Sequence, residues 1–242
     1  MNQKDLIQKS LIDVTDEDLD QVDRESLPER AWHKSTPRYQ TNQDIQEGFR
    51  AGELVKIERT KDYRPITRLL NPDTDLQYPP YLKKAAKISL DEISSLWRSR
   101  LTEEFGDRFN NALLAVTFLI CSEDYRKELL KTPGKILNGE GTHSTGYTFD
   151  VDASSYYIVD GENFYSVADP RRSKAIIKKS TQNLEKIGGS KMHTLASDEV
   201  YEQRVTDILV ECAQELTKRG NINLIIEYEG TQNRCIHVCT KP

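Results

Sequence analysis

The sequence predicts a domain in which helices are mixed with strands, on three observations. Two turn signals, Asp160-Gly161 and residues 230–233, each lie between strand-like runs and predict β-hairpins. Apolar residues recur at helical spacing over residues 93–101 and again over residues 201–216, which indicates two amphipathic helices. The short apolar run of residues 111–120 fits a strand buried on both faces, although periodicity alone does not exclude a helix.

The composition is that of a folded protein with a charged surface. A chain of 242 residues is long enough to bury a core, as one large domain or as two small ones. Residues 1–48 are acidic and then polar, so we expect an N-terminal arm there that is partly disordered or peripherally packed, with at most one short helix. We expect residues 49–242 to form a single domain. His33, within the arm, is expected at the protein surface.

Charge and hydropathy argue against several kinds of partner. The net charge is −5 and the Lys and Arg residues are scattered, so no nucleic-acid-binding surface is predicted. No run of about 18 apolar residues is present, so no membrane span is predicted. Residues 1–5 lack the apolar core of a secretory signal, and we expect a cytoplasmic protein unless a signal was removed or export is non-standard. The cysteines predict no disulfide framework, and the oligomeric state stays open.

The elements of the first half follow from strand runs and capping signals. Residues 54–57 form the clearest early strand. Ser89 is the expected N-cap of a helix that carries acidic residues in its first turn and ends near Gly106. After the apolar run, Ser122 is the expected cap of a second helix, again with acidic residues in the first turn.

The second half ends in a helix and a β-hairpin. Ser197 is the expected cap of the last long helix, which Gly220 ends. Cys212 lies on the apolar stripe of this helix and is expected in the core. Earlier, residues 147–152 alternate between apolar and polar side chains, so we expect a strand with Asp150 and Asp152 on one face.

A histidine and a carboxylate stand close together in the sequence, at His143 and Asp150. One imidazole and one carboxylate are two of the three protein ligands that a catalytic zinc usually takes, which leaves a fourth position for water. Gly146 allows the turn that carries the chain from His143 into the strand. His237 is the candidate for the third ligand, with His193 in reserve. The alternative without a metal is a hydrogen-bonded structural pair of His143 and Asp150.

The terminal hairpin offers candidates for a general base. If Glu229 lies opposite Cys235, then Glu227 pairs with His237 on one face of the sheet. A carboxylate would then lie beside the third imidazole, where a base for a zinc-bound water is needed. A structural zinc site formed by Cys235, His237 and Cys239, which share a face by alternation, is a further alternative.

The motif Thr142-His143-x-x-Gly146-x-x-x-Asp150 resembles the Ser-x-His-x-x-Gly-x-Ala-x-Asp signature of zinc D-alanyl-D-alanine carboxypeptidases and dipeptidases, which act on peptidoglycan. The order of elements over about residues 50–242 is similar as well, most of all to an uncharacterised bacterial branch of that superfamily. The resemblance implies an α+β fold, with a small, mostly antiparallel sheet packed with helices. It also implies that His143, Asp150 and His237 bind Zn²⁺. The motif departs from the family's in beginning with Thr142 rather than serine, a change that keeps a hydroxyl.

The chain departs from this family at the catalytic residues. The peptidases end in Glu-x-x-His, but Arg234 stands three residues before His237, so the base is expected to be Glu227 or Glu229. The family also places an arginine near the end of the strand that precedes the helix. Cys121 occupies that place here, and Arg126 follows a helical turn later. Loss of that cation would remove part of the transition-state electrostatics.

The resemblance therefore implies a zinc-dependent hydrolase that cleaves an amide bond in peptidoglycan peptides. Carboxypeptidase and endopeptidase action, of D,D- or L,D-type, are both compatible with it. The alternative is a non-catalytic relative that keeps the zinc-bearing fold and binds a peptide or a protein partner. A third reading is a metal-free domain in which the motif is a structural turn.

Overall fold

The computed structural model describes most of the chain in seven stretches, residues 16–65, 79–130, 141–161, 163–169, 192–195, 201–227 and 234–242. Its fold is mixed α/β with a mostly antiparallel sheet, as expected for the α+β class. The helices are α1 (Asp16–Glu25), α2 (Leu27–Trp32), α3 (Asn42–Arg50), α4 (Lys84–Phe105), α5 (Glu123–Leu130) and α6 (Gln203–Lys218). The strands are β1 (Val55–Lys56), β2 (Tyr63–Pro65), β3 (Tyr81–Leu82), β4 (Ala112–Phe118), β5 (Thr148–Asp160), β6 (Asn163–Ala168), β7 (Met192–Leu195), β8 (Ile222–Glu227) and β9 (Cys235–Thr240).

The main sheet is built around β5, which is long enough to pair with three other strands. It pairs antiparallel with β4, with β6 through the predicted turn at Asp160-Gly161, and with β9 at its N-terminal end. β8 extends the sheet beyond β9, and the β8–β9 hairpin was also predicted. β2 and β7 add parallel pairs at the far sides. A separate short sheet joins β1 to β3.

One face of the sheet packs against α4 and α6 to form the core. The apolar stripe of α6, which includes Cys212, is buried there, so that prediction is confirmed. Trp97 of α4 is buried between the helices, and its indole N–H donates to the carbonyl oxygen of Val205 at 2.8 Å. From the sheet, Phe149 and Val238 point into this core. Side chains alternate along a strand, so the polar neighbours of these residues occupy the opposite face.

Two helices begin at other positions than the capping signals predicted. α4 starts at Lys84, and Ser89 is a buried residue inside it. Ala86 and Leu90 continue its buried stripe toward the N-terminus, so packing on the sheet extends the helix beyond the expected cap. α6 starts at Gln203, after Glu202 as N-cap, whereas Ser197 lies outside the described residues. The end of α4 at Gly106 and the cap of α5 by Ser122, which accepts from the Tyr125 N–H at 3.2 Å, are as predicted.

Residues 16–50 form three helices whose buried side chains reach the polar face of the sheet. His33 is fully buried, which corrects the expectation of a surface histidine. Its Nε2 lies 2.9 Å from the carbonyl oxygen of Thr240, and its ring packs on Tyr147 with centroids 5.1 Å apart. The backbone partner makes burial of this imidazole tolerable. Within the described stretches, none of the helices combines the length and apolar character needed to cross a lipid bilayer.

Candidate metal centre

The pairing of β5 with β9 brings Asp150 and His237 together from positions far apart in the chain. The two residues are direct partners across the strands, on the face away from the α4–α6 core. Nδ1 of His237 lies 2.9 Å from Oδ1 of Asp150. His237 is 6% exposed, so this contact is shielded from water. Asp152 follows on the same face, as the alternation predicted, and accepts from the Ser154 N–H at 2.8 Å.

His143 reaches the same carboxylate from a tight turn just before β5. A 3-10 turn over His143–Thr145 ends at Gly146, whose φ of 78° lies in the left-handed region. A Cβ at Gly146 would lie 3.1 Å from a Leu54 methyl and 3.3 Å from an Ile120 methyl, so the position needs glycine for space as well as for its φ. The turn places Nε2 of His143 3.2 Å from Oδ1 of Asp150.

Together these residues form a group that could hold a metal ion. One nitrogen or oxygen atom of each of His143, Asp150 and His237 lies within 4.8 Å of those of the other two. Two imidazole nitrogens and one carboxylate oxygen are the donor set of catalytic zinc sites, and imidazole nitrogens also suit other first-row transition metals. The structure thus brings together all three ligands expected from the sequence.

The remaining nitrogen of each histidine faces an oxygen atom. Nδ1 of His143 lies 2.8 Å from the carbonyl oxygen of Leu119, and a carbonyl only accepts, so Nδ1 carries the proton and donates. Nε2 of neutral His143 is therefore left as a lone-pair donor beside Asp150. The edge of the Phe118 ring packs against His143 with centroids 4.4 Å apart, which restricts the imidazole further. Such partners on the far nitrogen are a regular feature of histidines that bind metals.

His237 has the equivalent partner in Glu29, a residue that the sequence analysis did not select. Oε2 of Glu29 lies 3.2 Å from Nε2 of His237, and the Glu29 residue is 3% exposed. These two buried atoms are not aligned for a hydrogen bond with each other. Buried polar atoms without aligned partners are rare, and they fit a site whose geometry completes when an ion binds. Glu29 lies among many acidic residues of the N-terminal region, so nothing local distinguishes it.

Charges in the cluster compensate one another. Burial alone would raise the pKa of Asp150, but the neighbouring His143 and His237 outweigh it and hold that pKa well below its usual range. Burial opposes the charged form of Glu29 too, and His237 again brings the net pKa down. For His237, burial lowers the pKa while Glu29 and Asp150 raise it well above its ordinary value. The metal-free cluster therefore favours an imidazolium between two carboxylates.

Glu227 lies on the same face of the sheet, but its register differs from the prediction. It pairs with Cys235, and Ile225 is the direct partner of His237. The shift is two residues, so the carboxylate keeps the predicted face. Burial first, and then repulsion from Asp150, raise the pKa of Glu227 to about 7. Glu229 lies outside the described residues.

The other predicted site residues are held by partners within the protein. Cys121 is buried, and burial raises the pKa of its thiol to about 12. Nη1 of Arg126 lies 3.4 Å from a carboxylate oxygen of Glu123, and Nη1 of Arg38 lies 3.0 Å from the other oxygen. Thr142 is fully buried, where its hydroxyl lies 3.4 Å from Glu29. Thr142 therefore lies beside the cluster through Glu29, whereas the Arg126 guanidinium is held by Glu123.

The two alternative ligand sets do not coincide with the cluster. Cys235 and Cys239 share the face of His237, and burial raises the pKa of both thiols. Among the described residues, the group that could hold an ion contains neither cysteine. The backbone of His193 lies on β7, opposite Tyr165, on the half of the sheet that carries β6.

Comparisons of this chain with protein-family models, with curated proteins and with solved structures give no match. What the site does must therefore be argued from its own residues.

Proposed function

We propose that this chain is a zinc-dependent hydrolase that cleaves an amide bond in peptidoglycan peptides, as a D,D- or L,D-type carboxypeptidase or endopeptidase with the fold of the zinc D-alanyl-D-alanine peptidases. The observation that carries the proposal is the convergence of His143, Asp150 and His237, with Glu227 on the same face. Their spacing in the sequence supports the family assignment, and their donor atoms support zinc. The partner is then a cell-wall peptide.

Each residue of the cluster has a distinct role in this proposal. Zinc held by His143, Asp150 and His237 would lower the pKa of a bound water and polarise the scissile carbonyl. Glu227 would accept a proton from that water and pass it to the departing amine. A general base must lie on the side where the proton is released, and Glu227 shares the face of the sheet that carries Asp150 and His237.

A second function is favoured by the surroundings of Cys121. The family's arginine is replaced here by a buried thiol. The nearby guanidinium groups of Arg126 and Arg38 both pair with Glu123, whose single negative charge offsets part of theirs and holds both groups against its carboxylate. Without a cation aimed at the carbonyl, transition-state stabilisation is weaker. The same centre would then serve a non-catalytic relative that binds a peptide or a protein partner.

Metal analysis tests the centre itself. We expect about one zinc per chain in wild-type protein purified without an affinity tag, as for a three-ligand catalytic site. His237→Ala removes one of the ligands and is expected to lose most of that zinc. Glu92→Gln, an exposed site on α4, is the matched surface control and should retain it. Wild-type protein without metal, even after zinc is added back, would contradict the proposal.

Turnover separates the enzyme from the binding relative. Zinc-loaded wild type is incubated with muropeptides that end in D,D- and L,D-linked residues, and new termini are detected by mass spectrometry. We expect Glu227→Gln to retain zinc but to lose about 10²- to 10⁴-fold in kcat, the usual contribution of a general base. A wild-type protein that binds zinc and one of these peptides without cleaving any would establish the binding relative.

A further inference from the structure

We infer that Glu29 is a positioning residue of the metal centre, which holds the His237 ring so that Nδ1 faces Asp150 and is free to bind the ion. This inference rests on the proposed zinc site and assigns to it a residue from the N-terminal segment. Glu29 is separated from His237 by more than two hundred residues and lies on α2, outside the sheet that supplies the ligands.

Each ring nitrogen of His237 faces a carboxylate oxygen. Asp150 lies 2.9 Å from Nδ1 of His237, and Glu29 lies 3.2 Å from Nε2. A neutral imidazole carries one N–H and one lone pair, and an ionised carboxylate can only accept. A ring that offers its Nδ1 lone pair to a metal must therefore keep its proton on Nε2. Oε2 of Glu29, 3.2 Å away, is close enough to accept that proton once the two atoms align. A carboxylate in this position fixes the tautomer and raises the basicity of the ligand.

Glu29 is held in place from both sides. On α1, the carbonyl oxygen of Glu25 accepts from Nδ2 of Asn223 on β8 at 2.9 Å. Just after α2, Nε2 of His33 lies 2.9 Å from the carbonyl oxygen of Thr240 at the end of β9. The segment is thereby tied to the two strands of the terminal hairpin on either side of Glu29. The nearby hydroxyl of Thr142 is within 3.4 Å of its Oε1.

A buried charge with no function would be costly at this place. Removing a carboxylate from water without compensation is unfavourable, so buried carboxylates are paired or bind ions. The partner of Glu29 is Nε2 of His237, the ring nitrogen that faces away from Asp150. In His143 the nitrogen that faces away from Asp150 also has an oxygen partner, the carbonyl oxygen of Leu119. Both histidines thus have an acceptor on the side away from Asp150.

The test compares the full-length wild type with Glu29→Gln and with Glu92→Gln. Zinc affinity is measured by competition with a chromophoric chelator. The ring N–H protons of the ligands are recorded by proton NMR of the Co²⁺-loaded protein, where the ion shifts them away from other signals. Gln keeps the size of the side chain but removes its charge, and Glu92 provides the same chemical change at an exposed position.

We expect Glu29→Gln to weaken zinc binding by about 10- to 100-fold, as is typical of the partners of metal ligands. The Nε2–H signal of His237 should shift and exchange faster with water, while the Nδ1–H signal of His143 stays unchanged. A merely structural role would not alter one ring signal selectively. If Glu29→Gln does not fold, Glu29→Asp, which withdraws the carboxylate by one methylene, is measured instead and should show the same signal change with a smaller loss.

Two results would overturn the inference, and they are distinguishable. Wild type and the Glu29 variant that bind zinc equally, with the same ring N–H signals, would remove the role of Glu29 and leave the zinc site intact. A wild-type protein that binds neither Zn²⁺ nor Co²⁺ would remove the proposed function together with the inference.

Discussion

An imidazole between two carboxylates is the central feature of this protein at the scale of single residues. His237 contacts Asp150 through one nitrogen and approaches Glu29 through the other. Without a metal, the positive ring compensates the two negative groups, and this explains why the pKa of His237 is raised while those of Asp150 and Glu29 are lowered. Glu227, on the same face, remains as an additional carboxylate, and burial with repulsion from Asp150 raises its pKa to about 7.

These pKa shifts predict that the metal-free protein loses stability as the pH rises. A group whose pKa is raised on folding binds more protons in the folded state, so stability falls as pH increases between its unfolded and folded values. For Glu227 this pH window runs from pH 4.5 to about pH 7. The contribution of His237 is complete below 6.5 and is lost as pH rises through its raised folded-state pKa. Both shifts act in the same direction.

We therefore expect the free energy of unfolding of the metal-free protein to fall between about pH 5 and pH 8. Glu227→Gln removes one of the two causes and should reduce this fall by on the order of 2 kcal/mol. Urea denaturation at a series of pH values, in the presence of a chelator, measures the free energy of unfolding of both proteins. Glu92→Gln should leave the pH profile as in wild type, and a Glu227→Gln profile identical to wild type would contradict the assignment.

At the scale of elements, the turn from the 3-10 segment into β5 decides where His143 lies. Gly146 ends this turn with a φ of 78°, and its Cα faces the buried side chains of Leu54 and Ile120. Gly52 has nearly the same φ, 77°, but a Cβ there would have no atom within 4 Å. The two glycines thus share their backbone requirement and differ in packing.

Gly146→Ala should therefore destabilise the protein more than Gly52→Ala. Both variants lose about 1–2 kcal/mol of unfolding free energy because alanine is strained in the left-handed region. Overpacking against Leu54 and Ile120 lowers the stability of Gly146→Ala by about 1–3 kcal/mol more. Urea denaturation of both variants measures the difference. Because overpacking displaces the turn that carries His143, zinc affinity should fall in Gly146→Ala only. Equal losses of stability in the two variants would show that the turn is not tightly packed.

At the scale of the whole molecule, the candidate metal centre joins parts of the chain that only folding brings together. His143 and Asp150 lie near the middle of the chain, His237 near its end and Glu29 near its beginning. An unfolded chain offers no preformed site of this kind, so an ion held by these residues would bind the folded state in preference. Binding energy then appears as folding stability.

We expect zinc at about a thousand times its dissociation constant to raise the free energy of unfolding by about 4 kcal/mol. The increase should depend on zinc concentration and be reversed by a chelator. In His237→Ala it should be absent at the same zinc concentration, and in Glu92→Gln it should equal that of wild type. Thermal unfolding monitored by circular dichroism provides the measurement, and a wild-type transition that zinc does not move would contradict the prediction.

The sequence alone determined the features that depend on local patterns. Alternation and turn signals predicted both hairpins, and the stripe of α6 predicted its buried face. The spacing of His143, Gly146 and Asp150, with His237 on the last strand, predicted three residues that the fold brings together. His143 and Asp150 lie on β5 and the turn before it, so local geometry positions them relative to each other. The start of α4 at Lys84 was not predicted. Buried residues before Ser89 extend the helix toward its N-terminus, and a rule based on capping residues does not take burial into account.

Only the tertiary structure decided the contacts that join distant segments. The β8–β9 register, shifted by two residues, depends on a connection whose length the strand pattern does not specify. The burial of His33 and the approach of Glu29 to His237 depend on how the N-terminal helices pack on the polar face of the sheet. An acidic side chain has the same local sequence signal on a solvated helix as beside a buried imidazole. Whether such a side chain is solvated or buried depends on the surface that packs over its helix, and that surface exists only in the folded chain.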